Sequence, residues 1–226
     1  MDQANICSST LAAVAVALEE IATRTRPVAL AGDERLPVLA PLADLFPGGA
    51  LRRGTTVTVT GSSSLLLALL AGPSQAGSWA AVVGRPDLGM AAAAEHGVAL
   101  ERLALVPYPG AQWATVASAL LDALDVVVLS PPGRMRPGDA RRLAAKARER
   151  GSVLVPLTGW TEAADVRLAV ASSQWQGLGQ GHGRLTACRV EVVVSGRGAA
   201  ARERRIPLWL PSISEVSVEN RVFRGF

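Results

Sequence analysis

The sequence predicts an α/β fold: a mainly parallel sheet flanked by helices, with antiparallel strands added at the C-terminal edge. Three observations carry this. Between Thr55 and Leu157, short β-rich runs alternate with segments of helical period. Runs such as Val126-Val127-Val128-Leu129 are apolar at every position, as in strands covered on both faces. Past Gly159, strand-like runs follow one another with no helix between them.

The elements follow in order. Ser8-Ser9-Thr10 can cap a helix reaching about Thr25, with Leu11, Val14, Leu18 and Ile21 on one apolar stripe. Arg26 to Pro41 holds three prolines and is expected to be a linker. Pro47-Gly48-Gly49 is a turn, and Thr55–Thr60 is a β-branched strand. Ser63–Ala71 is a short helix, expected to stop at Gly72-Pro73. Strands are expected at Trp79–Val83, Leu103–Val106, Val126–Leu129 and Val153–Leu157. Helices are expected at Met90–His96, Ala111–Leu124 and Gly138–Arg150. Ala164–Ser172, Thr186–Val194 and Arg204–Leu210 are the antiparallel additions. This divides the chain into an N-terminal helix and linker (1–35), a core domain (36–210) and a tail (211–226).

Bulk properties narrow the function classes. With 226 residues, 49% of them apolar, the chain can bury one substantial core. Net charge is +4, and of 23 basic residues only Lys146 is a lysine. That balance permits nucleic acid as a partner without requiring it. Aromatic residues make up 4%, little material for base stacking. Cys7 and Cys188 have no metal-ligand spacing, nor do His96 and His182, so no metal is expected. No apolar run reaches membrane-spanning length, and a cytoplasmic protein is expected.

The stretch "VTVTGSSSLLLALLAG" (57–72) has the layout of a phosphate-binding loop: strand, glycine, small polar residues, apolar helix. Such a loop needs further glycines, a lysine against the phosphates and a hydroxyl for magnesium. Here Gly61 is followed by Ser62, Ser63 and Ser64, with neither a second glycine nor a lysine. The turn therefore offers hydroxyls and, in sequence, no cation. The strand ending at Val83 runs into Arg85, and the strand ending at Leu129 runs into Ser130, where a magnesium site needs acids. Three requirements fail together. A strand-to-helix turn with a serine N-cap is the expectation, with no cofactor and no catalysis.

These same segments resemble the RecA family. "LADLFPGGALRRGTTVTVTG" is similar to the lead-in to its first core strand. "SWAAVVGRPDLGMAAAAEHGVALERLALVPYP" is similar to its catalytic-glutamate region, with Arg85 in the glutamate's place. "LDVVVLSPPGRM" is similar to its magnesium-binding strand, with Ser130 replacing the acid. "RVEVVVSGRGAAARERRIPLWL" is similar to its closing antiparallel strands. The resemblance covers residues 36–210 and implies a RecA-like core. Within that superfamily the chain looks most like the actinobacterial ImuA-prime proteins, accessory factors of mutasomes. That resemblance implies a non-hydrolysing adaptor in damage-induced, error-prone translesion synthesis. Its direct partner would be ImuB, an inactive Y-family polymerase homologue, and its indirect partner an error-prone replicative-type polymerase. The alternatives are a SulA-like division inhibitor binding FtsZ and a RecA-like nucleotide- or DNA-binding module.

Remaining features are weighed as contacts. Arg134, Arg136, Arg141 and Arg142 lie in "SPPGRMRPGDARRLAAKARER", matching one DNA-facing loop of RecA proteins and the helix after it. They could contact phosphates weakly; a solvated helix face is the competing explanation. "TGWTEAADVRL" matches the second DNA loop in position, but Glu162 and Asp165 weaken it as a DNA contact. "GLGQGHGRL" is expected to be a flexible hairpin. Partner contacts are expected from Leu11, Val14, Leu18 and Ile21. The tail, with Phe223, Phe226 and apolar residues at Ile213, Val216 and Val218, could add a strand to a partner. Self-association is compatible with all of this.

Overall fold

A computed structural model describes residues 35–133, 135–160, 162–178 and 183–210. Leu11, Val14, Leu18, Ile21, Arg134, His182, Phe223 and Phe226 lie outside the described residues.

The fold is α/β. Strands β3 (Val57–Thr60), β4 (Ala80–Val83), β5 (Leu103–Val106), β6 (Val126–Leu129) and β7 (Val153–Pro156) alternate with helices α1 (Ser63–Gln75), α2 (Met90–Glu95), α3 (Trp113–Ala123) and α4 (Pro137–Arg150). Four of these strands form a parallel sheet in the order β5-β4-β6-β7. Every residue of β4, β6 and β7 is buried, as their unbroken apolar character requires. Their side chains alternate between two cores. Val82, Val128 and Val155 enter the one shared with α1, while Val83, Leu129 and Leu154 enter the one shared with α3 and α4.

Three further strands follow: β8 (Val166–Leu178), β9 (Gly183–Gly196) and β10 (Arg204–Leu210). They make a second sheet in the order β10-β9-β8-β3, with β8 parallel to β3 and the other pairs antiparallel. The two sheets meet where β3 passes β7. Thr56 and Leu154 form one parallel bridge, and Leu154 N–H donates to the Thr55 carbonyl at 3.0 Å. Across the molecule the order is therefore β10-β9-β8-β3-β7-β6-β4-β5. The antiparallel strands join one edge of a parallel sheet, as the missing helices after Gly159 imply.

Three expectations are corrected. The linker does not run to Pro41. Arg35–Leu36 (β1) pairs with Leu51–Arg52 (β2), and Leu36, Leu42, Leu45, Phe46 and Leu51 are buried in the core of α1. Prolines and a 3-10 turn at Ala40–Leu45 break the periodicity that would have revealed them. Nor does α1 stop at Gly72-Pro73; both lie inside it. Gly72 is there for packing, since a Cβ on it would stand 2.7 Å from Val38 Cα. Pro73 lies near the helix end, where its missing N–H costs only one intrahelical bond. The helix closes at Gly77, whose φ is +90°. The β8–β9 hairpin is also longer than its sequence pattern suggests, because residues 171–177 of β8 are all exposed and no buried face imposes alternation there.

Two aspartates fasten the sheet. Asp125 accepts from Trp79 N–H at 2.9 Å and from Arg53 at 2.8 Å, joining the starts of β4 and β6 to the loop before β3. Asp165 accepts from Thr56 N–H at 2.8 Å and from Arg197 at 3.0 Å, locking β8 to β3 and to the end of β9. Asp165 thus has a structural role. Among the described residues no helix is long and apolar enough to cross a membrane.

Candidate functional site

The turn between β3 and α1 lies beyond the carboxyl end of β3, where α/β sheets hold ligands. Gly61 takes φ +87°, and a Cβ there would stand 3.2 Å from the Val170 carbonyl oxygen, so the turn needs glycine twice over. Ser62 is extended and its Oγ accepts from Leu65 N–H at 3.1 Å. This is the serine N-cap expected from sequence, worth about 1 kcal/mol. Ser63 is exposed at the mouth and Ser64 is half-buried in the first turn of α1.

Arg85 reaches this turn from the loop after β4. Its Nη2 donates to Ser63 Oγ at 3.3 Å, and Nε and Nη2 grip the two Asp87 oxygens at 2.9 Å each. The sequence leaves the turn without a cation; the structure brings one there and pairs it. Arg85's hydrogen bonds and charge hold the Asp87 carboxyl below the ordinary aspartate range. Asp87 is the site residue that sequence reasoning missed. The Arg-x-Asp spacing within Gly84-Arg85-Pro86-Asp87 was the available signal, since a proline turn brings the first and third positions together.

Ser130 follows the end of β6, beside Gly84. Its N–H donates to the Val83 carbonyl at 2.9 Å, and its own carbonyl packs against Gly84 so closely that a Cβ there would stand 1.9 Å away. The ends of β4 and β6 are thus held together by main-chain contacts. A cleft of about 410 Å³ remains between Thr60, Ser63, Arg85, Leu157 and Thr158. Its lining offers hydroxyls and one neutralised cation. Among the described residues no three His, Cys, Asp or Glu side chains gather to hold a metal ion.

This framework matches known sequences. Residues 44–162 fit the family model described as the MT3502 N-terminal domain. The chain belongs to this family. The MT3502-domain segment holds the serine turn, Arg85, Ser130 and all of α4, while β8 to β10 lie beyond it. The chain is also 35% identical, over 190 residues, to the uncharacterized protein Rv3395c of Mycobacterium tuberculosis (strain ATCC 25618 / H37Rv). The match spans 80% of this chain and 92% of that relative.

Of the basic candidates, Arg136, Arg141 and Arg142 are among the described residues, and all three lie on or at the start of α4. α4 is amphipathic, burying Ala140, Leu143 and Ala147. Arg141 pairs with Glu162 at 3.0 Å and Arg142 with Asp139 one turn back. Lys146 and Arg150 both hold Asp122 of α3, at 2.8 and 2.6 Å. Most of this charge is spent on neighbouring acids. Arg136 stands exposed at the N-cap position of α4.

Proposed function

We propose that this protein is a RecA-like core that has lost nucleotide hydrolysis and serves as an adaptor in damage-induced translesion synthesis, with an ImuB-type protein as direct partner. One observation carries the proposal: Arg85, bidentate to Asp87, occupies the mouth of the serine turn. A polyphosphate entering there would displace Asp87 and meet a single freed guanidinium, with no lysine in the lining of the cleft. The strand order, with β3 central between the antiparallel and parallel halves, supports a RecA-type core. So does the position of Ser130 at the end of β6. The mycobacterial relative agrees with an actinobacterial setting.

The adaptor role is tested by purifying the tagged protein from its own cells after DNA damage and identifying what travels with it. An ImuB-type protein is the expected companion. Recovery of FtsZ, or of no polymerase-associated protein, would overturn the proposal.

A further inference from the structure

A second cavity, of about 370 Å³, opens at the amino-terminal ends of β3 and β8. It shares no lining residue with the cleft at the serine turn. Its volume is that of a small-molecule site. Phe46, Leu51, Val57, Val166 and Ala200 give it apolar walls, each 7% exposed or less. Three exposed arginines complete the lining: Arg35, Arg52 and Arg197. Asp165, the one acid among the described lining residues, answers Arg197 at 3.0 Å. Arg35 donates to the Gly48 carbonyl at 3.0 Å. The Arg52 guanidinium has no hydrogen bond or ion pair among the described residues.

Arg35 and Arg52 stand directly opposite each other in the β1–β2 pair. Like charges so placed repel and weaken a strand pair. An anion seated between them turns that repulsion into attraction. The remaining polar groups narrow the kind of anion. Thr55 Oγ1 already donates to the Arg52 carbonyl at 2.6 Å. The Asp165 oxygens already accept from Thr56 N–H and from Arg197, and the Asp165 charge disfavours a second negative charge nearby. The apolar walls offer a sugar no side-chain partner. We infer that this cavity binds a small monoanionic acid, a carboxylate carried on a compact apolar body. The flat carboxylate matches the guanidinium forks of Arg35 and Arg52, and the body lies against Phe46 and Val57.

The test is titration calorimetry on the full-length chain, and its outcome is independent of the adaptor role. Two probes carry the required headgroup: phenylacetate as a free acid, and an acetylated alanyl-phenylalanine dipeptide ending in a carboxylate. Saturable binding of at least one is expected, and the tighter of the two names the source of the acid. Phenylacetamide has the same shape without the charge and should bind about tenfold more weakly than phenylacetate, or worse. Arg52→Gln should abolish that discrimination, so that acid and amide bind alike, with circular dichroism reporting that the fold is kept. Arg85→Gln should leave binding unchanged, because Arg85 lines the other cleft. Asp33 and Glu34 precede Arg35 in the chain, and Asp33→Asn with Glu34→Gln should also leave it unchanged. Four results would each overturn the inference: no saturable binding of either acid, equal affinity for acid and amide in the unaltered chain, loss of binding on Arg85→Gln, or a clear gain when Asp33 and Glu34 are neutralised.

Discussion

Arg85 and Ser63 are 22 positions apart, yet the Arg85 guanidinium stands 3.3 Å from the Ser63 hydroxyl while Asp87 holds its other side. The charge that could attract phosphate is already answered from within the chain. Titrating the unaltered protein with Mg-ATP in a calorimeter should give no saturable heat. Asp87→Ala frees the guanidinium and should create weak pyrophosphate binding that fades with salt. Saturable Mg-ATP binding by the unaltered protein would contradict the proposed loss of the nucleotide site.

The same pair fixes a pH window. The Asp87 carboxyl is lowered from 3.8 by its hydrogen bonds to Arg85. A lowered acid keeps its ion pair above the ordinary value and loses it only as pH falls through the lowered one. The side-chain carboxyl carbon resonance of Asp87 should therefore titrate with a midpoint below 3.8, and Arg85→Gln should move that midpoint upward.

Gly72 sets two opposing magnitudes against each other. Gly72→Ala should gain roughly 1 kcal/mol of helix propensity. The new methyl would stand 2.7 Å from Val38 Cα, a main-chain atom that cannot swing away. Overpacking of that kind costs about 1–3 kcal/mol, so net destabilisation is expected in chemical denaturation. Gly84→Ala should be worse, at about 3 kcal/mol or more, because it combines φ +77° with a 1.9 Å approach to the Ser130 carbonyl.

Asp125 is a different kind of fastening. Its pair with Arg53 is about a quarter exposed, so double-mutant coupling between the two should be only about 1 kcal/mol. Asp125→Ala also orphans the Trp79 N–H, at a further cost of about 1–3 kcal/mol. Denaturant midpoints should accordingly fall more for Asp125→Ala than for Arg53→Ala.

On α4, Arg141→Ala with Arg142→Ala should change stability by about 0.5 kcal/mol or less, since both guanidinium groups are solvent-exposed. Fluorescence anisotropy with single-stranded DNA should hardly change either. Any salt-sensitive affinity should respond instead to Arg136→Ala.

Much of this was legible in the chain. The strands Leu103–Val106, Val126–Leu129 and Arg204–Leu210 stand where their patterns put them, because each faces a core on at least one side. The Ser62 cap follows from local chemistry alone. The buried lead-in, with Leu42 and Leu45, was hidden because a 3-10 turn has neither period and prolines mask apolar spacing. Gly72 was misjudged because the neighbour that requires it, Val38, is remote in the sequence. The Arg85 contact with Ser63 was out of reach for the same reason: it is made by topology, which sets the end of β4 beside the start of α1.

The lone rung between Thr56 and Leu154 also says how the molecule coheres. Backbone pairing scarcely ties the eastern and western boards of the sheet to each other. Leu65, Leu66, Leu69 and Leu70 of α1 are almost wholly buried in a core that draws on both boards. Cohesion across the seam therefore comes from oily side chains under one helix, like a keel beneath two planks. Shortening Leu69 to alanine should loosen amide exchange at Leu154 sooner than in the heart of either board.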